Sequence, residues 1–261
     1  MSCVFATVDG YVPGWDDVTA ADGPCAAVAV EVSGRLAHTR PDPGLATTVD
    51  LTRARATLAV ADGPARAAVR VAAVRSAGEQ GYLGVDGEAF VLEVDGAVVG
   101  ATWAGPGLHG EVGIVPDLWI AGADRAWGLA GVSPTLGARW IERADLGAQV
   151  GWAAPGGWLW VDAALTAGEG FALRERNEGK DLGVSISAAP LVGIGHPRGL
   201  VLTGFARDGT RGVAVARDSR LGARAAGEAG PLTYGAEVLA AWGVDADAAR
   251  APVGASGWVT A

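Results

Sequence analysis

The chain has 261 residues and half of them are hydrophobic, but alanine supplies much of that fraction and glycine is abundant, with 41 residues. Soluble proteins fill their interior with bulky aliphatic side chains, so this composition fits poorly with a dense apolar core. The net charge of −9 argues against nucleic acid as a partner.

The chain divides into two predicted parts. Residues 1–25 form an N-terminal segment without regular periodicity, and residues 26–261 form one β domain. Both cysteines, Cys3 and Cys25, lie in the first part. They either form one disulfide in an oxidising compartment or remain two thiols.

The first half of the β domain alternates apolar and polar residues with period 2, which is typical of strands with one apolar and one polar face. We predict strands over residues 28–36, 49–61, 65–75, 90–98 and 108–115. Val98 is assigned to the apolar row of its strand. The polar rows carry these charged residues: Glu31, Arg35, Arg53, Arg55, Arg66, Arg70, Glu93 and Asp95.

Residues 115–143 interrupt the alternation. A connection of this length in a compact domain is usually functional. It contains Trp119, Trp127 and Trp140 beside the charged residues Asp117, Asp124, Arg125, Arg139, Glu142 and Arg143. Three arrangements are open: a loop that folds against the polar rows, a loop that caps the domain, or a small helical insertion.

Alternation resumes at Ala144 and is clearest in the strand over residues 144–153, where Leu146 and Val150 share one face. Further strands are predicted over residues 159–165, 182–188, 200–207, 217–226, 232–242 and 255–261. Phe205 falls on the polar side of its strand and weakens that assignment. The polar rows of this half carry Asp145, Asp162, Asp181, Arg220, Arg224 and Glu237.

Strands of about ten residues, joined by short turns on one side and long polar loops on the other, are typical of a transmembrane β-barrel. In such a barrel the charged rows surround water and the apolar rows meet lipid, because a lipid-facing arginine costs about 2–4 kcal/mol at the midplane. We therefore predict an all-β, antiparallel, up-and-down transmembrane β-barrel of about twelve strands, with a long inserted loop at residues 115–143. A soluble β-sandwich with tryptophans in its core is the alternative.

Two stretches resemble Gram-negative outer-membrane porins of the phosphate-selective-porin-like superfamily. In the run from Ala144 to Pro190, a strand leads to Gly168-Glu169-Gly170 and a polar loop then enters Asp181-Leu182-Gly183. The pattern D-L-x-R-A-R-x-x-L from Asp50 to Leu58 is similar to the family's second strand. The resemblance implies the cell outer membrane as location, its lipid as partner, and an inserted loop that narrows the lumen. The chain departs from the family in strand number, since such porins usually have about 16–18 strands.

The expected function is a water-filled channel for passive diffusion of ions and small hydrophilic solutes. The charged residues of the polar rows are expected to line it, and the charged residues of the insertion to form its constriction. Arg53 and Arg55, with Arg66 and Arg70, are expected to attract inorganic anions. Solute identity, barrel closure and homo-oligomerisation stay open. The alternative function is a soluble or surface β-sandwich or β-barrel binding module, for example for carbohydrate.

Catalytic and metal-binding motifs are absent from the sequence. There is no G-x-S-x-G elbow and no H-E-x-x-H pair. The three histidines, His38, His109 and His196, lie in unlike contexts, so a metal cluster is not expected. Neither an enzyme nor a cofactor is predicted.

Overall fold

The computed structural model describes residues 4–5, 18–19, 23–39, 46–77, 88–103, 105, 107–127, 140–168, 179–191, 199–211, 216–243 and 252–260. Nearly all of these residues belong to antiparallel β-strands. The predicted all-β class is therefore confirmed.

Twelve strands form one sheet, in agreement with the predicted number. These strands are β3 (Cys25–Thr39), β4 (Ala46–Asp62), β5 (Ala65–Ala77), β6 (Glu88–Trp103), β7 (Leu108–Pro116), β8 (Ala144–Ala153), β9 (Leu159–Thr166), β10 (Asp181–Ala188), β11 (Val201–Asp208), β14 (Arg220–Ala229), β15 (Leu232–Ala241) and β16 (Val253–Thr260). Two short hairpins pair β1 (Val4–Phe5) with β2 (Val18–Thr19), and β12 (Thr210–Arg211) with β13 (Ala216–Arg217). One helix, α1, spans Leu118–Trp127.

The main sheet is an up-and-down meander. Its order is β16-β15-β14-β11-β10-β9-β8-β7-β6-β5-β4-β3, so each strand pairs with its predecessor in the sheet without a crossover. Strands β3 and β16 are the two edges of this order, and no pairing joins them within the described residues.

The two ends of the sheet differ in the length of their connections. At one end, residues 63–64, 154–158 and 230–231 make short links, and residues 189–200 make a longer one. At the other end, the connections span residues 117–143, 167–180, 209–219 and 242–252. We name the first the turn end and the second the loop end. This asymmetry is the one predicted from the sequence.

The sheet has two faces of opposite chemistry. The outer face exposes large apolar side chains on almost every strand, among them Val28, Val30, Leu58, Val69, Leu92, Val112, Leu146, Val150, Leu182, Ile186, Leu202, Leu221 and Val259. The inner face buries charged and polar side chains, among them Arg55, Arg66, Glu111, Gln149, Asp181, Arg207, Arg220, Arg224 and Glu237. This is the reverse of the usual distribution in soluble proteins.

The predicted assignment of faces is wrong at one residue of β6. Arg70 pairs with Gly96 and Val71 pairs with Val94, so Asp95 is the extra residue of a β-bulge. One extra residue moves every later side chain to the opposite face. Val98 therefore lies on the inner face and is 4% exposed, whereas Val99 is 63% exposed on the outer face.

The insertion after β7 begins with α1, so the small helical insertion is the arrangement found at residues 118–127; residues 128–139 lie outside the described part. Leu118, Trp119 and Ile120 form one buried cluster with Ile141, Ala164, Phe205 and Leu239. The rings of Trp119 and Phe205 lie 5.5 Å apart. Phe205 faces inward because it contacts this helix, which explains why it departs from the polar pattern.

Two further observations concern the ends of elements. Cys25, the first residue of β3, is disulfide-bonded, while Cys3, the chain's other cysteine, lies outside the described residues. Strand β14 begins at Arg220, since Arg217 belongs to the short β12–β13 hairpin.

In the described part of the chain, no helix has the length and apolar character needed to cross a membrane.

We predict that Gly113→Ala lowers the free energy of unfolding by about 2 kcal/mol. Gly113 in β7 has a φ of 131°, and an added Cβ would overlap the Ala97 carbonyl oxygen. Gly204→Ala in β11 is the control, because no atom lies within 4 Å of its added Cβ. Thermal unfolding followed by circular dichroism measures both variants. Equal melting temperatures would contradict the prediction.

Candidate functional site: the charged inner face

The predicted channel-lining residues lie on the inner face wherever their side chains are described. They are Arg55, Arg66, Arg70, Glu93, Asp145, Asp162, Asp181, Arg220, Arg224 and Glu237. The side chains of Glu31, Arg35, Arg53 and Asp95 lie outside the described residues. The strand period thus places these charges together on one face, and their role in a channel stays a prediction.

The predicted constriction residues are only partly on this face. Asp117 and Arg143 join the two ends of the insertion, where the Asp117 amide donates to the Arg143 carbonyl at 2.9 Å. Glu142 is exposed. Asp124 and Arg125 belong to α1 but their side chains lie outside the described residues, as does the whole of Arg139.

A cluster of charges lies at the loop end of the inner face, and Arg207 is at its centre. Arg207 Nε is 3.0 Å from Asp181 Oδ2, its Nη2 is 2.8 Å from Asp218 Oδ2, and its Nη1 is 3.4 Å from Asp117 Oδ2. The second oxygen of Asp218 lies 2.6 Å from Arg220 Nη2. We name these five residues the Arg207 cluster.

Two carboxylates at this end also hold the starts of long connections. Asp181 Oδ1 accepts a hydrogen bond of 3.1 Å from the Thr210 amide, just after β11. Asp145 Oδ2 accepts a hydrogen bond from the Gly168 amide, just after β9. Carboxylates at the starts of β8 and β10 therefore fix the neighbouring connections, with Asp145 the second residue of β8 and Asp181 the first of β10.

Arg220 ties further segments to the cluster through backbone carbonyls. Its Nε and Nη2 donate to the Trp140 carbonyl at 2.9 and 2.7 Å. Its Nη1 donates to the carbonyls of Ser219 and Trp242 at 2.9 and 2.7 Å. Because guanidinium has five N–H donors in a rigid fork, one side chain can join the ends of three connections.

Asp117 connects the cluster to α1. Its Oδ1 accepts hydrogen bonds from the amides of Trp119 and Ile120 at 2.8 and 3.2 Å, which caps the helix. Burial raises the pKa of Asp117, against the opposing effects of Arg207 and these two amides. The ionised form is thus less favoured than in the unfolded chain, so this group's contribution to stability falls as the pH rises.

The ring of Trp119 is held on the inner face by a charged neighbour and a glycine. The Arg224 guanidinium lies 3.9 Å from the ring centroid and donates to the Trp119 carbonyl at 3.0 Å. Arg224 also pairs with Glu237 at 3.1 Å. A Cβ on Gly222 would come within 2.9 Å of two ring carbons, so the absent side chain leaves room for the indole. These contacts fix α1 against the sheet.

Two ion pairs on the inner face cross an intervening strand at a glycine. Arg66 of β5 and Glu111 of β7 are 3.0 Å apart, and Gly100 of β6 is in register with both. His109 of β7 and Asp162 of β9 are 3.3 Å apart, and Gly151 of β8 is in register with both. A Cβ on Gly151 would overlap the His109 ring and Asp162 Oδ1, and a Cβ on Gly100 would overlap the Gly110 carbonyl oxygen and the Cβ of Glu111. We name these the bridged pairs.

Arg207, Asp218, Glu111 and His109 are absent from the predicted site residues. Arg207 and Glu111 carry a sequence signal, because each is a charged residue among the alternating residues of a strand and lies on the same face of the sheet as the predicted residues. Asp218 follows the short β12–β13 hairpin, where alternation gives no information. Gly100 and Gly151 can be recognised as the glycines between the paired residues only when the strand register is known.

A small cavity of about 20 Å³ lies beside the Arg207 cluster, lined by Val115, Asp117, Glu142, Asp145, Thr166, Gly168 and Arg207. This volume is sufficient for about one water molecule. Within the described ranges, no group of three or more histidine, cysteine, aspartate or glutamate side chains is arranged to hold a metal ion.

No protein-family model and no curated protein matches this chain. The resemblance to outer-membrane porins therefore stays a prediction from the sequence.

We predict that Arg207→Met lowers the free energy of unfolding by about 3–5 kcal/mol, because it leaves buried carboxylates without their cation. Arg207→Lys keeps the charge but offers one ammonium to three partners, so it should fall between wild type and Arg207→Met. Chemical denaturation followed by tryptophan fluorescence measures the series. A wild-type midpoint for Arg207→Met would show that the ion pairs do not stabilise the loop end.

Proposed function

We propose that the protein is a β-barrel inserted in a membrane, with a charged interior that forms a channel for ions and small hydrophilic solutes. One observation carries the proposal, which is the inside-out distribution of side chains. At the middle of β7, Val112 is 57% exposed while its neighbour Glu111 is 3% exposed. Buried charged residues also lie opposite exposed aliphatic residues on β4, β5, β10, β11, β14 and β15.

Lipid is the solvent that suits such an outer face. Continuous exposed apolar surfaces mark contacts with membranes or proteins, and this one extends over strands β3 to β16. Strands β7 to β16 of the sheet have 8–10 residues, close to the roughly 9–11 that a tilted strand needs to cross a bilayer. Trp103, Trp152 and Trp158 are exposed near the turn end, where an interfacial aromatic belt is expected.

Membrane insertion requires the sheet to close. An unpaired edge in hydrocarbon leaves its amides and carbonyls unsatisfied, so open sheets do not span membranes. Strands β3 and β16 both extend the outer apolar row, with Val28 and Val30 on one and Val253 and Val259 on the other. An even number of strands in a meander also makes the first and last strands antiparallel. We therefore propose that β3 and β16 pair and close the barrel.

The outer membrane of a Gram-negative cell is the proposed location. Its barrels combine short turns at one end with long loops at the other, which is the asymmetry of this sheet. The disulfide at Cys25 also fits a compartment outside the reducing cytosol.

The inner face would act on ions through two regions of opposite sign. Arg55, Arg66 and Arg70 lie on β4 and β5, whereas Asp145, Asp162 and Asp181 begin or line β8 to β10. Rings of charged side chains set selectivity in pores. Helix α1 packs against β9, β10 and β15. In the closed barrel it would narrow the channel, and the arginines of β4 and β5 would favour anions.

A carbohydrate-binding β-sandwich is less well supported. A sandwich packs the apolar faces of two sheets against each other. Here the buried face is charged and belongs to a single twelve-stranded sheet.

We predict that Val112→Arg impairs membrane assembly, at a cost of about 2–4 kcal/mol, because the midplane of the bilayer penalises a lipid-facing charge. Ala229→Arg, at the turn end of β14, is the control, with an expected cost of about 0–1 kcal/mol. Folding into lipid vesicles, followed by the shift in gel mobility on boiling, measures both. If Val112→Arg folds like wild type, water and not lipid covers the outer face.

We predict conductance in a planar bilayer and a reversal potential that depends on Arg55, which is buried on the inner face. In a KCl gradient, Arg55→Gln should shift the reversal potential toward cations, and Arg55→Glu should shift it further. Arg55→Lys, which retains the charge, is the control and should match wild type. Reconstituted protein without conductance, or with a reversal potential that ignores this series, would refute the channel.

A further inference from the structure

The cross-strand partners of the main sheet form one continuous row that rises from the turn end to the loop end. The row starts at Cys25, the first residue of β3, and reaches Ala241, the last residue of β15. On the way it passes these inner-face residues: Ala61, Arg66, Gly100, Glu111, Gln149, Ala164, Gly183, Arg207 and Arg220. The strands are therefore staggered in one direction, as they are in a barrel with tilted strands.

This stagger decides which part of β3 lies level with β16. The Ala241 amide donates to the Pro252 carbonyl at 3.0 Å, so the row reaches the chain one residue before β16 begins at Val253. From there β16 runs back toward the turn end, antiparallel to β3. If the row returned to Cys25 itself, all of β16 would lie beside residues that precede β3.

The lengths of the two edge strands set the limits of the pairing. For β16 to lie wholly beside β3, Thr260 must face Cys25 or a later residue, and Val253 must face Thr39 or an earlier one. The row then returns to β3 between residues 33 and 40. The surplus length of β3, with 15 residues against 8 in β16, is what makes this offset possible.

The two faces of the sheet reduce the choice further, because directly opposite residues share a face. The outer residues of β16 have odd numbers, among them Val253 and Val259. Those of β3 have even numbers, among them Val28, Val30 and Val32. Since an even-numbered residue of β3 must face an odd-numbered residue of β16, the row returns at residue 33, 35, 37 or 39.

Strand tilt leaves two of these four positions. Strands of barrels tilt by about 35–45°. With a rise of about 3.4 Å per residue and a strand spacing of about 4.8 Å, a barrel of twelve strands has this tilt when the row returns about 12–17 residues further along the first strand. Residues 37 and 39 meet this condition.

The charges favour a return at residue 39. In that register Ser256 faces Arg35, and Ser256 also pairs with Glu237, to which its hydroxyl donates at 3.0 Å. A basic and an acidic residue then lie two strands apart with a small residue between them, which is the arrangement of both bridged pairs. A return at residue 37 would place Ser33 opposite Ser256 instead.

We propose that the barrel closes with β16 on residues 31–38 of β3, so that Val259 pairs with Val32 and Val253 pairs with His38. This register deepens the closure given under the proposed function and rests on it. It corresponds to a backbone diameter of about 24 Å. Helix α1 with its side chains occupies about 10–12 Å of that width. The remaining space suits ions and single small molecules, which is the class of solute that this barrel would pass.

The test uses pairs of cysteines in the full chain, folded into lipid vesicles and then mildly oxidised. A disulfide joins only residues that face each other directly, because Cα atoms more than about 7 Å apart cannot be bridged. Val259→Cys with Val32→Cys should therefore form a disulfide in most of the protein. A mobility shift in non-reducing gels, reversed by a reductant, detects it, and mass spectrometry of the linked peptides identifies it. Cys25 is already disulfide-bonded, so the two added thiols are the pair that reacts.

The matched controls combine Val259→Cys with Val30→Cys or with Val28→Cys, which are exposed valines of the same strand. Both control pairs should stay reduced. A disulfide in a control pair and not with Val32→Cys would overturn the proposed register, although the barrel would still be closed. A disulfide between two chains would overturn it as well, because the edges would then pair between copies. If the variants fold into vesicles and no pair reacts, the closure itself is refuted, and the proposed channel with it.

Discussion

The contact of Arg207 with three carboxylates is the interaction on which the loop end of this molecule depends. A charged inner face is costly unless each charge is paired and hydrogen-bonded. Arg207 meets Asp181, Asp218 and Asp117. Asp181 and Asp218 both hold the connection at residues 209–219, and Asp117 begins the connection at residues 117–143. Through Asp117 the cluster reaches the first turn of α1, and through Asp218 it reaches Arg220. The position of the helix and the ends of the strands are thus parts of one network.

The inner face combines this network with an apolar cluster around Trp119. The indole contacts Phe205 and lies under Arg224, which also binds Glu237. On the inner face of this sheet, apolar contacts and ion pairs are therefore mixed, whereas most soluble proteins keep them apart. On the described part of the outer face, the exposed large side chains are aliphatic or tryptophan. The two faces of the sheet therefore differ in chemistry.

The strands and their faces could be predicted from the sequence because period 2 is a local signal, readable within ten residues. Val98 was misplaced because a bulge at Asp95 changes the count without changing the composition. The sequence leaves helix α1 as one of three arrangements, because its apolar residues pack against a face that only the folded sheet creates. Arg207 and Asp218 are partners through strand register, which depends on pairing between distant segments. The sequence therefore predicts which strand faces carry the described charged residues, but not which of these residues pair with each other.

The meander has a consequence for how the protein is assembled. Every ladder of the main sheet joins segments that follow each other in that sheet, so the sheet can grow hairpin by hairpin with small loop-closure costs. Until the sheet is complete, the last strand added has an unpaired edge and an exposed apolar face, and both favour aggregation. In the proposed barrel, a strand edge stays unpaired until β16 meets β3, so a factor that covers this edge during growth would limit aggregation.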